Sequence, residues 1–336
     1  MWNPDGFLRN MLAQGSPEMS FKASSMEEMQ GWQLRLRDRF VQLLGGFPDE
    51  NAALEPVRLE SADCGDYIRY RVEIGTYAGL RMPCYLLVPN SADATPRPAV
   101  IALHGHGPGG SKSPVGLNPD GTDADNPDYH NNFAIALVRA GYITLVPELL
   151  GFGERKLEED ADQDNSCHRI STLLLAMGKT MAGVRVYETL RCIDYLQSLP
   201  EVDGHRIGCM GISGGGLVAA YAAAIDQRLR AAVVSGFFNT FEASIMSIRH
   251  CVDNYVPGLS AVAEMPDLFG LIAPRPLLLE SGIRDHIFPI EAVKASYPLL
   301  ERMYATAGAP GNLDIDMFDR GHEISGAKAY EWFKRL

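Results

Sequence analysis

The sequence lacks a Cys-x-x-Cys pair, an excess of positive charge and a long apolar run, and each absence closes off a class of function. Its six cysteines, Cys64, Cys84, Cys167, Cys192, Cys209 and Cys251, are scattered singly. That spacing carries no zinc-ribbon or dithiol motif and no disulfide framework, so they read as reduced, mostly buried thiols. Lysine and arginine total 30 against 42 aspartates and glutamates, a formal charge of −12 over 336 residues. Nucleic acids and anionic membranes both need a basic footprint, so neither is expected as a partner. No stretch approaches the roughly 18 consecutive apolar residues of a membrane span. The N-terminal MWNPDGFLRNMLAQGSPEMS lacks the basic start and apolar run of a secretory signal, so a cytoplasmic protein is expected. Internal repeats and low-complexity tracts are also absent.

What is present is enough apolar material for a sizeable core, 46% against 21% charged. Residues 26–44 place Met29, Trp32, Leu36, Phe40 and Leu43 at helical spacing, and Gly45-Gly46-Phe47-Pro48 ends the helix. Residues 1–50 are therefore expected to be a helical N-terminal segment and 51–336 the main domain. From 56 to 89, VRLES, YIRYRVEIGTYAG and MPCYLLVP read as an antiparallel opening to a sheet. Beyond that, buried strand-like runs alternate with helical patterns: 100–105, 142–148, 206–213, 231–236, 276–282 and 313–319 against 184–199, 216–225 and 292–308. This alternation predicts an α/β fold with a mostly parallel sheet covered by helices. Two segments break it, 149–183 and 237–270. Both follow strands at the edge where such sheets bind ligands, so both are expected to roof the site.

The strongest local motif is Gly211-Ile212-Ser213-Gly214-Gly215, a G-x-S-x-G preceded by a strand and followed by a helix. An ordinary glycine-rich turn can carry the same spelling, but strand, turn and helix together are the context of a nucleophile elbow. A serine needs a base, and the base needs an orienting carboxylate, in the chain order Ser, acid, His. Three histidines follow Ser213: His250, His286 and His322. His322 stands in a loop just after a predicted strand, so it is the expected base. Asp285, directly after the strand PLLLE, is the expected acid. Asp319 competes with it but lies only three residues from His322, and Glu280 is still inside its strand.

The stretch VIALHGHGPGGSKS, residues 100–113, admits three readings. As a P-loop it fails, because Ser111 stands where the lysine belongs and the next helical pattern starts only near residue 129. His104-x-His106 also opens some metal-dependent hydrolases, but these need further ligands on later strands, and His130, His168 and His205 stand at no clear strand end. The third reading is half of an oxyanion hole, with one backbone N–H from the residue after the serine, Gly214, and one from this loop: His106, with Gly107 second. His104 is then structural, its ring bonding the loop.

With these residues in view, the sequence resembles the α/β-hydrolase superfamily, in particular its dienelactone-hydrolase and acetyl-xylan-esterase-like branch. The resemblance rests on His104-Gly105-His106-Gly107, Gly211 to Gly215, Gly282-Ile283-Arg284-Asp285-His286-Ile287-Phe288-Pro289 and Gly321-His322. It also takes in Gly183 to Tyr187, Asn254 to Gly258 and Ala273-Pro274-Arg275-Pro276. It spans roughly 55–336. Dienelactone hydrolases proper use a cysteine where this chain has Ser213. The resemblance implies a serine-dependent carboxylic ester hydrolase that removes a small acyl group, such as acetyl, from a sugar or other small ester. A peptidase or thioesterase with the same triad is the alternative. A peptidase of the prolyl-oligopeptidase type would carry a propeller domain, for which there is no room. No metal and no organic cofactor is expected. The expected partner is a small-molecule ester, with self-association left open.

Overall fold

Nine strands form one sheet in the computed structural model, which describes residues 2–90 and 95–336. They are β1 (Val57–Asp63), β2 (Tyr67–Tyr77), β3 (Leu80–Pro89), β4 (Arg97–Leu103), β5 (Ile143–Pro147), β6 (Val202–Ile212), β7 (Leu229–Ser235), β8 (Leu277–Gly282) and β9 (Leu313–Phe318). Their spatial order is β1-β2-β3-β5-β4-β6-β7-β8-β9. The β1-β2-β3-β5 end is antiparallel, and every pair from β5-β4 through β8-β9 is parallel. The sheet expected from the sequence is thus present, with its antiparallel opening and its parallel body. β8 is buried at every position, because helices cover both faces, whereas edge strand β1 is exposed along most of its length.

The helices are α1 (Asp5–Gln14), α2 (Met26–Leu43), α3 (Phe133–Arg139), α4 (Cys167–Ala176), α5 (Met181–Ser198), α6 (Gly214–Ile225), α7 (Leu259–Val262), α8 (Met265–Gly270), α9 (Ile290–Thr306) and α10 (Ala329–Trp332). α2 starts where the Ser25 hydroxyl accepts the Glu28 N–H at 3.2 Å. Its Met29, Trp32, Leu36 and Phe40 join the same core as the sheet, and Phe40 meets Tyr221 of α6 edge-on at 4.8 Å. α6 is buried along nearly all of its length. Its alanines let it lie close against β6 and β7. The loop after β4 departs from the sequence reading: a short 3-10 turn, Gly110–Val115, precedes α3, which begins only at Phe133.

Strand order sets where a ligand can bind. The chain leaves β4 toward β5 on one side, then crosses to β6 on the other, so β4 and β6 flank the point where the winding reverses. Beyond their carboxyl ends lie His104 to Gly107 and Ser213. The ends of β8 and β9 carry Asp285 and His322 to the same edge. Residues 149–183 follow β5 and residues 237–270 follow β7. Among the described residues no helix is long and apolar enough to cross a membrane.

Candidate active site

Ser213 sits on the turn between β6 and α6 at φ 57° and ψ −122°. A non-glycine residue occupies that region at a cost of about 1–3 kcal/mol, and only over-determined surroundings hold it there. Crowding supplies them. A Cβ at Gly211 would lie 2.2 Å from the Gly215 carbonyl oxygen, and one at Gly215 would lie 2.2 Å from that of Leu103. The Ser213 N–H is tied to the Ser235 carbonyl at 3.0 Å. The hydroxyl is thereby presented at the N-terminus of α6, on the wall of a cavity of about 310 Å³. Tyr129, Ile248, Cys251 and His322 are among the other walls.

Asp285 and His322 are 37 residues apart in sequence, yet His322 Nδ1 lies 2.7 Å from Asp285 Oδ2. The other carboxylate oxygen accepts the N–H groups of Ile287 at 2.8 Å and Phe288 at 3.1 Å, which fixes the carboxylate's orientation. The imidazole lies between the rings of Phe288 and Tyr129, with centroids 5.7 and 5.9 Å away. Its Nε2 is buried and has no hydrogen-bond partner among the described residues. The competing carboxylates lie elsewhere. Asp319 has a side chain 82% exposed, 3.3 Å from Arg284. Glu280 stays within β8, accepting from the Ser235 hydroxyl at 2.6 Å and the Gly326 N–H at 2.9 Å, and burial pushes its carboxyl up. His286 is exposed, whereas His250, in the segment that follows β7, lines the cavity.

Three aromatic side chains hold the loop after β4. His104 Nδ1 donates to the Gly105 carbonyl at 2.8 Å while its Nε2 accepts the Leu149 N–H at 3.0 Å, as a structural histidine should. His130 Nε2 accepts the Gly105 N–H at 3.0 Å, and its Nδ1 faces Asp128 at 2.9 Å. Burial pushes the His130 pKa down, keeping the ring neutral as an acceptor must be. The Tyr129 hydroxyl donates to the His106 carbonyl. Neither the His106 N–H nor the Gly214 N–H meets an acceptor among the described residues. The two segments converge: a Cβ at Gly214 would lie 2.9 Å from His106 Cε1. Sequence reasoning missed the part played by Tyr129 and His130, which come some 25 residues later with no spacing rule to link them to the loop.

Behind His106 lies a charged cluster that the sequence did not disclose. His106 Nε2 is 2.9 Å from Asp253 Oδ2, and Arg185 Nη1 donates to that oxygen at 2.6 Å. Arg185 also reaches Cys167 Sγ at 3.1 Å and the Leu150 carbonyl at 2.6 Å. Burial alone would lower the His106 pKa, but neighbouring Asp253 outweighs it and holds the ring at about 9. Burial would raise Asp253, yet His106 and Arg185 together hold it far below the usual carboxylate range. Cys251 is pulled down to about 6, first by the neighbouring Cys167 thiol and then, against burial, by His106. Removing one partner of such a buried pair leaves a charge uncompensated. Arg185→Met is therefore expected to cost roughly 3–5 kcal/mol, read as a lowered urea midpoint at unchanged slope.

Residues 3–325 match the model of the Abhydrolase family. The chain belongs to the Abhydrolase family. This Abhydrolase chain is 29% identical over 290 residues to "Putative hydrolase YtaP" of Bacillus subtilis (strain 168), an alignment covering 85% of the chain and 92% of the relative. Among solved structures, a "putative acetyl xylan esterase" from Bacteroides fragilis superimposes with a TM-score of 0.81 at 19% identity, over 100% of this chain and 90% of that one. A glucuronoyl esterase from Teredinibacter turnerae superimposes with a TM-score of 0.68 at 16% identity, over 96% and 90%. At these identities the superpositions show the α/β-hydrolase fold.

Proposed function

We propose that this protein is a serine-dependent carboxylic ester hydrolase that removes a small acyl group, acetyl first among them, from a sugar or other small ester. The observation that carries the reading is the Asp285–His322 contact of 2.7 Å, on a histidine whose other nitrogen is buried and unpartnered at the cavity lined by Ser213. In this reading the Asp285 carboxylate accepts a hydrogen bond from the Nδ1–H of His322 and so keeps the proton on that nitrogen, leaving Nε2 as the lone-pair nitrogen that removes the Ser213 proton. Ser213 attacks the ester carbonyl. The N–H groups of His106 and Gly214 receive the oxyanion, each worth about 3 kcal/mol in the transition state. His322 returns its proton to the leaving alcohol, and water releases the acid. A cavity of about 310 Å³, at the lower end of small-molecule sites, suits a compact acyl group. A solved structure of the same fold named as a putative acetyl xylan esterase favours a carbohydrate alcohol, and one named as a glucuronoyl esterase favours a carbohydrate ester more broadly.

The test is turnover of p-nitrophenyl acetate, acetylated xylo-oligosaccharide, a thioester and an aminoacyl amide by the purified protein, with fluorophosphonate labelling read by intact mass. Acetyl-ester turnover above thioester and amide, with one label per chain, is the expected result. A folded protein that neither turns over any ester nor takes the label overturns the reading.

A further inference from the structure

Four side chains of metal-ligating type converge from three separate segments beside the active site. His106 comes from the loop after β4, Cys167 opens α4 in the first roof segment, and Cys251 and Asp253 stand in the second. One donor atom from each lies within 4.8 Å of every other. Tetrahedral coordination with bonds of 2.0–2.3 Å places its ligand atoms about 3.3–3.8 Å apart, so the widest pairs close by roughly 1–1.5 Å and the 2.9 Å His106–Asp253 pair opens slightly to complete the shell. We propose that His106, Cys167, Cys251 and Asp253 bind one divalent cation of the zinc class.

The donor set selects the metal. Two sulfurs, one imidazole and one carboxylate oxygen suit zinc or its thiophilic neighbours and exclude magnesium and calcium, which take oxygen shells. The outer partners a metal ligand needs are also in place. Arg185 donates to both Asp253 Oδ2 and Cys167 Sγ, and the Asn254 amide donates to Asp253 Oδ1 at 2.8 Å. The buried guanidinium does not exclude a cation. Two thiolates and a carboxylate balance one guanidinium and one dication when the imidazole is neutral. The protons that the thiols and the His106 ring carry before binding go to solvent, and His106 exchanges its contact with Asp253 for the metal. Entry is open, since Cys251 lines the active-site cavity and also a neighbouring one of about 610 Å³. The bound ion would tie both roof segments to the loop after β4, acting as a structural clamp outside the chemistry assigned to Ser213.

The experiment titrates the reduced 336-residue chain with Co²⁺ and then displaces the cobalt with Zn²⁺, alongside Cys167→Ser, Cys251→Ser and Ser213→Ala. One Co²⁺ per chain with a sulfur-to-cobalt charge-transfer band is expected in the wild type and in Ser213→Ala. Each cysteine variant should lose the band and at least about tenfold in affinity. At a zinc concentration about 100 times Kd the wild-type melting midpoint should rise by roughly 4 °C, and that of the cysteine variants should not. Absence of the band, its persistence in both cysteine variants, or oxidation of the two cysteines to a disulfide in place of metal uptake overturns the site. Cys251 is only half-buried, so its variant remains informative if that of buried Cys167 fails to fold. Because Ser213→Ala keeps the metal, failure of this site and failure of the esterase reading are separable.

Discussion

Ser213→Ala is expected to abolish ester turnover, lowering kcat by on the order of a millionfold, with the melting temperature unchanged within a degree or two. The size follows from the residue's role: without the hydroxyl, the base, the acid and the oxyanion donors have no nucleophile to act on, and losing the nucleophile alone costs about as much as losing the whole triad. The unchanged stability follows from the backbone. The strain at φ 57° belongs to any residue with a Cβ, so alanine inherits it. Ser213→Gly separates the two effects, because it removes hydroxyl and strain together and should be as inactive as alanine yet at least as stable. Comparing kcat on p-nitrophenyl acetate with calorimetric midpoints for the three proteins checks both claims. Turnover by Ser213→Ala within a hundredfold of wild type would mean that another group attacks the ester.

The residues at strand ends were legible because chain order and periodicity place them. A buried run, a glycine-flanked serine and a helix specify a turn geometry, and Gly211 and Gly215 are there because a Cβ at either would meet a carbonyl oxygen at 2.2 Å. Asp285 and His322 follow the same logic, each just beyond a strand that pairs in parallel with its neighbour. What supports them was not legible. Arg185 lies inside α5 at a position that reads as ordinary helix, and Asp253 lies in a roof segment without periodicity. Only the return of the second roof segment over the sheet edge brings Asp253 to Arg185 and His106. The cysteines show the same limit. Singly spaced in sequence, they read as isolated thiols, whereas the fold sets Cys167 and Cys251 within 4.8 Å of each other. Insertions contribute through their path in space, and one chain's pattern carries little information about that path.

The second large effect is expected at the orienting acid. Asp285→Asn should lower kcat by about 10⁴-fold while leaving the fold intact. The reason lies in which oxygen is already engaged. Asp285 Oδ1 accepts two backbone N–H groups, from Ile287 and Phe288, and an amide nitrogen cannot take that place. The asparagine must keep its carbonyl oxygen there and turn its NH₂ toward His322 Nδ1, 2.7 Å away in the present carboxylate contact. A donor facing Nδ1 requires that nitrogen to be the acceptor, which moves the imidazole proton to Nε2. The nitrogen facing the cavity then has no lone pair with which to take a proton from Ser213. Asp319→Asn is the matched comparison. Its carboxylate is 82% exposed beside Arg284, so kcat should stay within about twofold of wild type. Circular dichroism establishes folding, and kcat for the two asparagine variants measured side by side decides the assignment. A large loss at residue 319 with a small one at 285 would transfer the orienting role to the carboxylate nearer in sequence, which only a rearrangement of the loop after β9 could achieve.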